Sequence, residues 1–100
     1  MRNLPMECLR SFVTVTEVKG FTQAGQLLGK SQPAVSLQIK RLEELIGAQV
    51  FVRGSHRLEL TQPGERMLDY ARQILALNDE ALAELALPVI SGRVRFGIPS

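Results

Sequence analysis

Two short apolar-striped segments meet at a glycine-containing turn, and that junction narrows the folds open to this chain. Ala24, Leu27 and Leu28 face one side of a short helix that stops at Gly29-Lys30. Ser31 follows as an N-cap, with an oxygen for the free N–H groups of the next turn. Pro33 lies in the first turn, where a missing N–H costs little. Val35, Ile39, Leu42, Leu45 and Ile46 then recur at helical spacing, and Gly47 supplies the C-cap. Two helices joined this tightly read as a helix-turn-helix. An earlier helix begins at Pro5, carries Leu9, Phe12, Val13 and Thr16 as its inner stripe, and ends at Gly20, leaving Thr22 to cap the second helix.

After Gly47 the period changes. Val50-Phe51-Val52 and Leu58-Glu59-Leu60 have strand character around a Gly54-Ser55-His56 loop, a two-stranded hairpin or wing. An isolated hairpin is marginal in water, so this one must lean on the helices. Thr61 caps a long helix from about Gln62 to Leu87, with Pro63 in its first turn and Pro88 expected to stop it. Its stripe of Met67, Leu68, Ala71, Ile74, Leu75, Asn78, Leu82 and Leu85 alternates steps of three and four, as in a heptad seam. Uncovered, that stripe would expose apolar surface, so these eight residues are assigned to dimerisation, Asn78 setting the register. The competing reading packs the stripe entirely on its own domain. Val94, Phe96 and Ile98 alternate like a strand without a partner, which points to a further domain. The fold class is mainly α: a winged helix-turn-helix of three helices plus a hairpin (1–61), a long linker and dimerisation helix (62–87), then a hinge and the first strand of a further, truncated domain (88–100), which the resemblance given below implies to be effector-binding.

The net charge of +2 conceals a division. Residues 1–61 hold eight Lys/Arg against five acids, whereas residues 62–90 hold two against five. A basic module beside an acidic helix fits one polyanion-binding unit joined to a segment with another task. No apolar run of about 18 residues and no signal-peptide core is present, so membrane insertion is not expected and the expected address is cytoplasmic. The single Cys8 cannot form an internal disulfide and reads as a packed or partly exposed thiol. One His and one Cys make no metal cluster, and no nucleophile with a base or phosphate-cradling loop is present. An enzyme is therefore not expected, and no cofactor or metal either. Tyr70 and the four Phe residues read as structural.

The helix-turn-helix carries the chemistry. The leading edge of the third helix can enter a major groove. Away from its apolar face stand Ser31, Gln32, Pro33, Ser36, Leu37, Lys40 and Arg41. A Gln amide pairs with adenine, Pro or Leu packs on a thymine methyl, and Lys40 and Arg41 suit phosphate. Thr22 and Gln23, at the start of the second helix, point toward backbone phosphates. Arg53, His56 and Arg57 cluster at the wing, within reach of a minor groove or flanking phosphates. The bland alternative is a three-helix bundle with a polar outer face and a charged, solvated loop.

Several ordered motifs then carry a resemblance. Phe12, Phe21-Thr22, Ala24 and Leu28, the block SQPAVSLQIKRLEELIG from Ser31 to Gly47, and VFVRGSHRLELTQPG from Val50 to Gly64 together resemble the N-terminal region of LysR-type regulators, over roughly residues 4–87. The tail SGRVRFGIPS is similar to the opening strand of that family's effector domain. The resemblance implies sequence-specific binding to a pseudo-palindromic duplex as a homodimer, a tetramer at full length, and a small-molecule effector held by the C-terminal domain. It places Gln32, Pro33, Ser36 and Leu37 where the family reads bases, and Thr22, Gln23, Ser31, Lys40 and Arg53 where it holds the backbone or groove edges. Three departures stand out. Gly25 replaces a usual alanine, which should loosen the second helix. Leu37 replaces a frequent arginine and so removes a guanine contact. His56 replaces a wing arginine, which weakens the wing charge. A winged regulator of the molybdate-responsive type, and a helical dimerisation module without DNA, are the alternatives; the Ser31–Gly47 block argues against the first.

Overall fold

The computed structural model describes residues 2–54 and 56–91. Four helices follow in order: α1 (Met6–Val18), α2 (Phe21–Leu28), α3 (Gln32–Ile46) and α4 (Gln62–Ser91). Helix α1 packs against each of the other three, and α2 packs on α3. Its inner face is wider than the expected stripe: Cys8, Leu9, Ser11, Phe12 and Val15 are all buried. Thr16 stands at the margin and returns its hydroxyl to the Phe12 carbonyl at 2.9 Å.

The α1–α2 junction differs from expectation. The left-handed residue is Lys19 (φ 59°, ψ 43°), whose N–H reaches the Val15 carbonyl, while Gly20 is extended and is the N-cap of α2. The Gly20 carbonyl already accepts from Ala24 N–H at 3.2 Å, so the sharp reversal falls one residue earlier, on a side chain that pays about 1–2 kcal/mol for it. Thr22 consequently lies inside the first turn and is not the cap. Leu27, expected inward, is exposed: of the three residues expected to face inward, Ala24 is buried and Leu28 half-buried, and Leu27 is rotated about 100° from Leu28.

Gly25 is buried, and a Cβ there would come within 2.6 Å of the Lys30 carbonyl oxygen. The Lys30 N–H in turn bonds the Gly25 carbonyl at 2.8 Å. The helix-propensity penalty of this glycine is thus accompanied by a tighter closure of the turn. Ser31 caps α3 through a bond from Ala34 N–H, and Gly29 and Gly47 both adopt left-handed C-caps.

The wing is shorter than a paired hairpin. Among the described residues its antiparallel pairing is one bridge, Phe51 to Leu60, flanked by Val52 N–H to the Glu59 carbonyl (2.8 Å) and Thr61 N–H to the Val50 carbonyl (3.0 Å). Val50 gives its own N–H to the Glu43 carboxylate of α3 at 2.9 Å, which leaves that donor outside the ladder. Phe51 anchors the wing, edge-on to Phe12 (5.6 Å) and to Phe21 (5.8 Å).

Thr61 caps α4 as expected, accepting from Gly64 N–H at 2.9 Å. Helix α4 runs through Pro88 to Ser91 and does not stop there. Proline removes one N–H, whose partner carbonyl, on exposed Glu84, is open to water. Residues 88–91 are therefore helix and not hinge; Val94, Phe96 and Ile98 lie outside the described residues. Among the described residues, no helix is long and apolar enough to cross a membrane.

The eight-residue dimerisation stripe is divided. Met67, Leu68, Ala71 and Leu75 are buried in the chain's own core, with Ile74 packed at its edge. Asn78 is half-buried and gives an N–H to Asp79, while Leu82 and Leu85 are 60% and 75% exposed. The reason is length. Helix α4 has 30 residues, about 45 Å, against 13 in α1, so α1 covers only its first part. Arg10 of α1 bridges to Asp79 at 2.6 Å.

Gly64 is enclosed: a Cβ would sit 2.1 Å from the Val50 carbonyl oxygen. Gly64→Ala should therefore lower unfolding stability by about 1–3 kcal/mol despite alanine's better helix propensity, read from urea denaturation. The Arg10 bond holds the Asp79 carboxyl below its usual range, with Asn78 assisting. Because this folded-state value is depressed, its contribution is present above about pH 4 and lost as pH falls through the lowered value. Thermal midpoints of wild type and Asp79→Asn should accordingly converge in acid and differ near neutrality.

Candidate nucleic-acid interface

One side of α3 is open to solvent. Its buried side is Val35, Ile39 and Leu42. Ser31, Gln32, Pro33, Leu37, Lys40 and Arg41 are exposed, and Ser36 is half-buried. Leu37, 67% exposed, is a large apolar side chain with no cover in the fold. The Gln32 amide donates to Ser36 Oγ at 2.8 Å, so these two side chains are joined on one face.

Two depressions flank this edge. One lies between α3 and the wing, where Ser36, Lys40 and Arg53 share a groove with Phe21, Val52 and Leu58. The other surrounds Leu37, with Arg2, Lys40, Arg41 and Glu44 on its walls. Arg2 was not among the expected site residues; nothing in the spacing of the N-terminal segment reveals that it meets α3. Lys40 lines both depressions, which gives the helix cationic flanks on either side of its apolar tip.

The wing cations separate. Arg53 turns toward α3, whereas His56 and Arg57 line a different hollow with Lys19, Leu58 and Glu59. Thr22 and Gln23 are exposed in the first turn of α2, and the Gln23 amide occupies the space beside Gly20 that a Cβ would need.

Behind this surface lies a polar tie that pattern reading did not find. Ser11, fully buried on α1, donates to Gln38 Oε1 of α3. The same oxygen accepts from Lys30 Nζ at 3.1 Å, and the Gln38 amide reaches the Glu7 carboxylate at 3.5 Å. The signal was present in one place: Ser11 shares a face with Cys8 and Val15, three and four residues away, so a hydroxyl sits among buried neighbours and needs a partner. The bond ties the recognition-helix candidate to α1 at its midpoint. Nearby Cys8 is buried, and burial pushes its thiol pKa up, so it is inert packing rather than a reactive group.

The profile described as "Bacterial regulatory helix-turn-helix protein, lysR family" matches residues 6–65. The chain belongs to the LysR family. Among its relatives, the regulator DgdR of Burkholderia cepacia is 42% identical over 98% of this chain and 33% of its own length. BudR of Klebsiella aerogenes is 43% identical over 97% of this chain and 69% of its own length. The chain thus spans about a third of DgdR. These relatives are named as transcriptional regulators and not as enzymes.

In structure, this LysR-family chain resembles the BenM_DBD/catB site 1 DNA complex (TM-score 0.79, 34% identity, 85% of this chain and 94% of that one). It also resembles Vibrio fischeri DarR in complex with DNA (TM-score 0.80, 30% identity, 85% of this chain and 29% of that one). The winged helix-turn-helix class expected from sequence is therefore the observed one, although its hairpin is reduced to a bridge.

Gln38→Leu should strand the buried Ser11 hydroxyl and cost about 1–3 kcal/mol of unfolding stability in urea. Ser11→Ala introduced together with it should recover part of that loss, because the orphaned group is then absent.

Proposed function

We propose that the chain binds double-stranded DNA with sequence preference, as a homodimer, and is the DNA-binding part of a LysR-type transcriptional regulator. The observation that carries this reading is the leading edge of α3: Gln32, Pro33 and Leu37 stand exposed together, with Arg2, Lys40, Arg41 and Arg53 along the flanking depressions. A polar and apolar tip reads base edges and thymine methyls, and flanking cations hold phosphates. That both BenM_DBD and DarR are structures with DNA supports it.

In this reading Gln32, Pro33 and Leu37 face the bases, and Ser36 stands behind Gln32 on the same face of α3. Ser31, Thr22, Gln23, Lys40 and Arg41 hold the backbone, and the wing residues Arg53, His56 and Arg57 reach the adjacent groove or phosphates. Residues 1–61 form the binding unit, and α4 carries it to its partner. The second copy covers the far part of α4, where Asn78, Leu82 and Leu85 continue the stripe that α1 covers farther back. A two-fold pair would read the half-sites of a pseudo-palindrome. Tetramer formation and a small-molecule effector belong to a longer protein of which this chain is the DNA-binding part, and its place is the nucleoid in the cytoplasm.

Duplexes selected from a random pool should bind with a steep salt dependence, about −0.9 in log–log slope per phosphate contacted. Arg53→Ala should weaken all duplexes alike and reduce the slope by about one, while Gln32→Ala should cost about 1–3 kcal/mol at a single base position. Absence of duplex binding would instead favour a helical interaction module. In sedimentation, Leu82→Glu combined with Leu85→Glu should yield folded monomers; an intact dimer would exclude this part of α4 as the interface.

A further inference from the structure

A glutamine amide is an ambiguous reader of DNA. It offers two N–H donors and one carbonyl acceptor. Guanine presents two acceptors in the major groove, N7 and O6, so an unrestrained amide can donate to it. Adenine presents the N7 acceptor beside the N6 donor, which matches one N–H together with the carbonyl. What the side chain already binds within its own protein decides which pattern it has left.

In this chain Gln32 is not unrestrained. Its Nε2 donates to Ser36 Oγ at 2.8 Å, one helical turn along the same face. Gln32 is exposed at the tip, and Ser36 is half-buried, set back in the groove with Lys40 and Arg53. The supporting hydroxyl is thus recessed behind the amide it holds. One N–H is consumed, leaving one N–H and Oε1 outward. The bond also restricts a side chain that is otherwise rich in rotamers, so less freedom is lost when a base is engaged.

Resting on the duplex-binding reading above, the geometry points to Ser36 as a positioning residue that narrows Gln32 to adenine, acting through the Gln32 amide rather than through a base of its own. The Ser36 hydroxyl removes the second donor that a guanine contact needs. The position read by Gln32 is therefore A·T, and the discrimination against G·C at that position depends on a side chain that touches no base.

The test measures binding of the full chain to a duplex it selects, with each base pair substituted in turn. Gln32→Ala first locates its position, where wild type should prefer A·T over G·C by roughly 5- to 150-fold. Ser36→Ala should lower that preference at the same position by at least about threefold, and Ser36→Thr, which keeps the hydroxyl, should restore it. In a Gln32→Ala background, Ser36→Ala should have no further effect there. Alanine is a strong helix former at this half-exposed site, so folding is retained and circular dichroism checks it. An unchanged preference in Ser36→Ala, or a change confined to another base pair, overturns the positioning role while leaving duplex reading by Gln32 intact. If Gln32→Ala alters no position, the base-reading assignment itself fails and this inference falls with it.

Discussion

The arrangement turns on Phe51 and the two rings that receive it. Phe12 comes from α1 and Phe21 from α2, and both meet Phe51 edge-on. Such contacts contribute about 0.5–1.5 kcal/mol each beyond the area they bury. A wing paired by one bridge has little stability of its own, so its position is set by this insertion. The consequences spread along the chain in both directions. Val50, next to Phe51, is buried, takes its N–H partner from α3, and offers its carbonyl to Thr61 at the mouth of α4. Gly64 then packs on that same carbonyl. The direction in which α4 leaves the domain therefore follows from where one aromatic ring is seated.

The contacting surface depends on that seating too. Arg53 lies two residues beyond Phe51 and shares a groove with Ser36 and Lys40 of α3. The exposed edge of α3 is supported from behind by the bond from buried Ser11 to half-buried Gln38, in a core that is otherwise apolar. A buried hydrogen bond of this kind adds modest net stability but penalises alternative packings that would leave it unmade. It resists sliding of α3 on α1.

Much of the fold was legible in the residues. Gly29, Ser31, Pro33 and Gly47 punctuate α3 as expected, and Thr61 caps α4, because caps and left-handed glycines act within a few residues. Val35, Ile39 and Leu42 face inward as their spacing requires. Reading went astray where two local preferences competed. Gly20 and Lys19 could each take the left-handed reversal, and the demand for an N-cap on α2 put it on lysine. Pro88 looked like a stop, yet an exposed helix tolerates the loss of one bond.

The sequence by itself determined the helices, their caps, the exposed polar edge beginning at Ser31, and the family to which its ordered motifs point, since all of these follow from residue type and short-range spacing. Only the tertiary structure decided how a single apolar stripe on α4 is shared. Met67, Leu68, Ala71 and Leu75 close against the chain's own core, and Leu82 and Leu85 stay open. It also decided that Arg53 faces α3 while His56 and Arg57 turn toward Lys19, and that Arg2 joins the recognition edge. Periodicity states which side of a helix is apolar. Which neighbour covers that side depends on the lengths and crossing positions of elements far apart in the chain, and no local spacing encodes them.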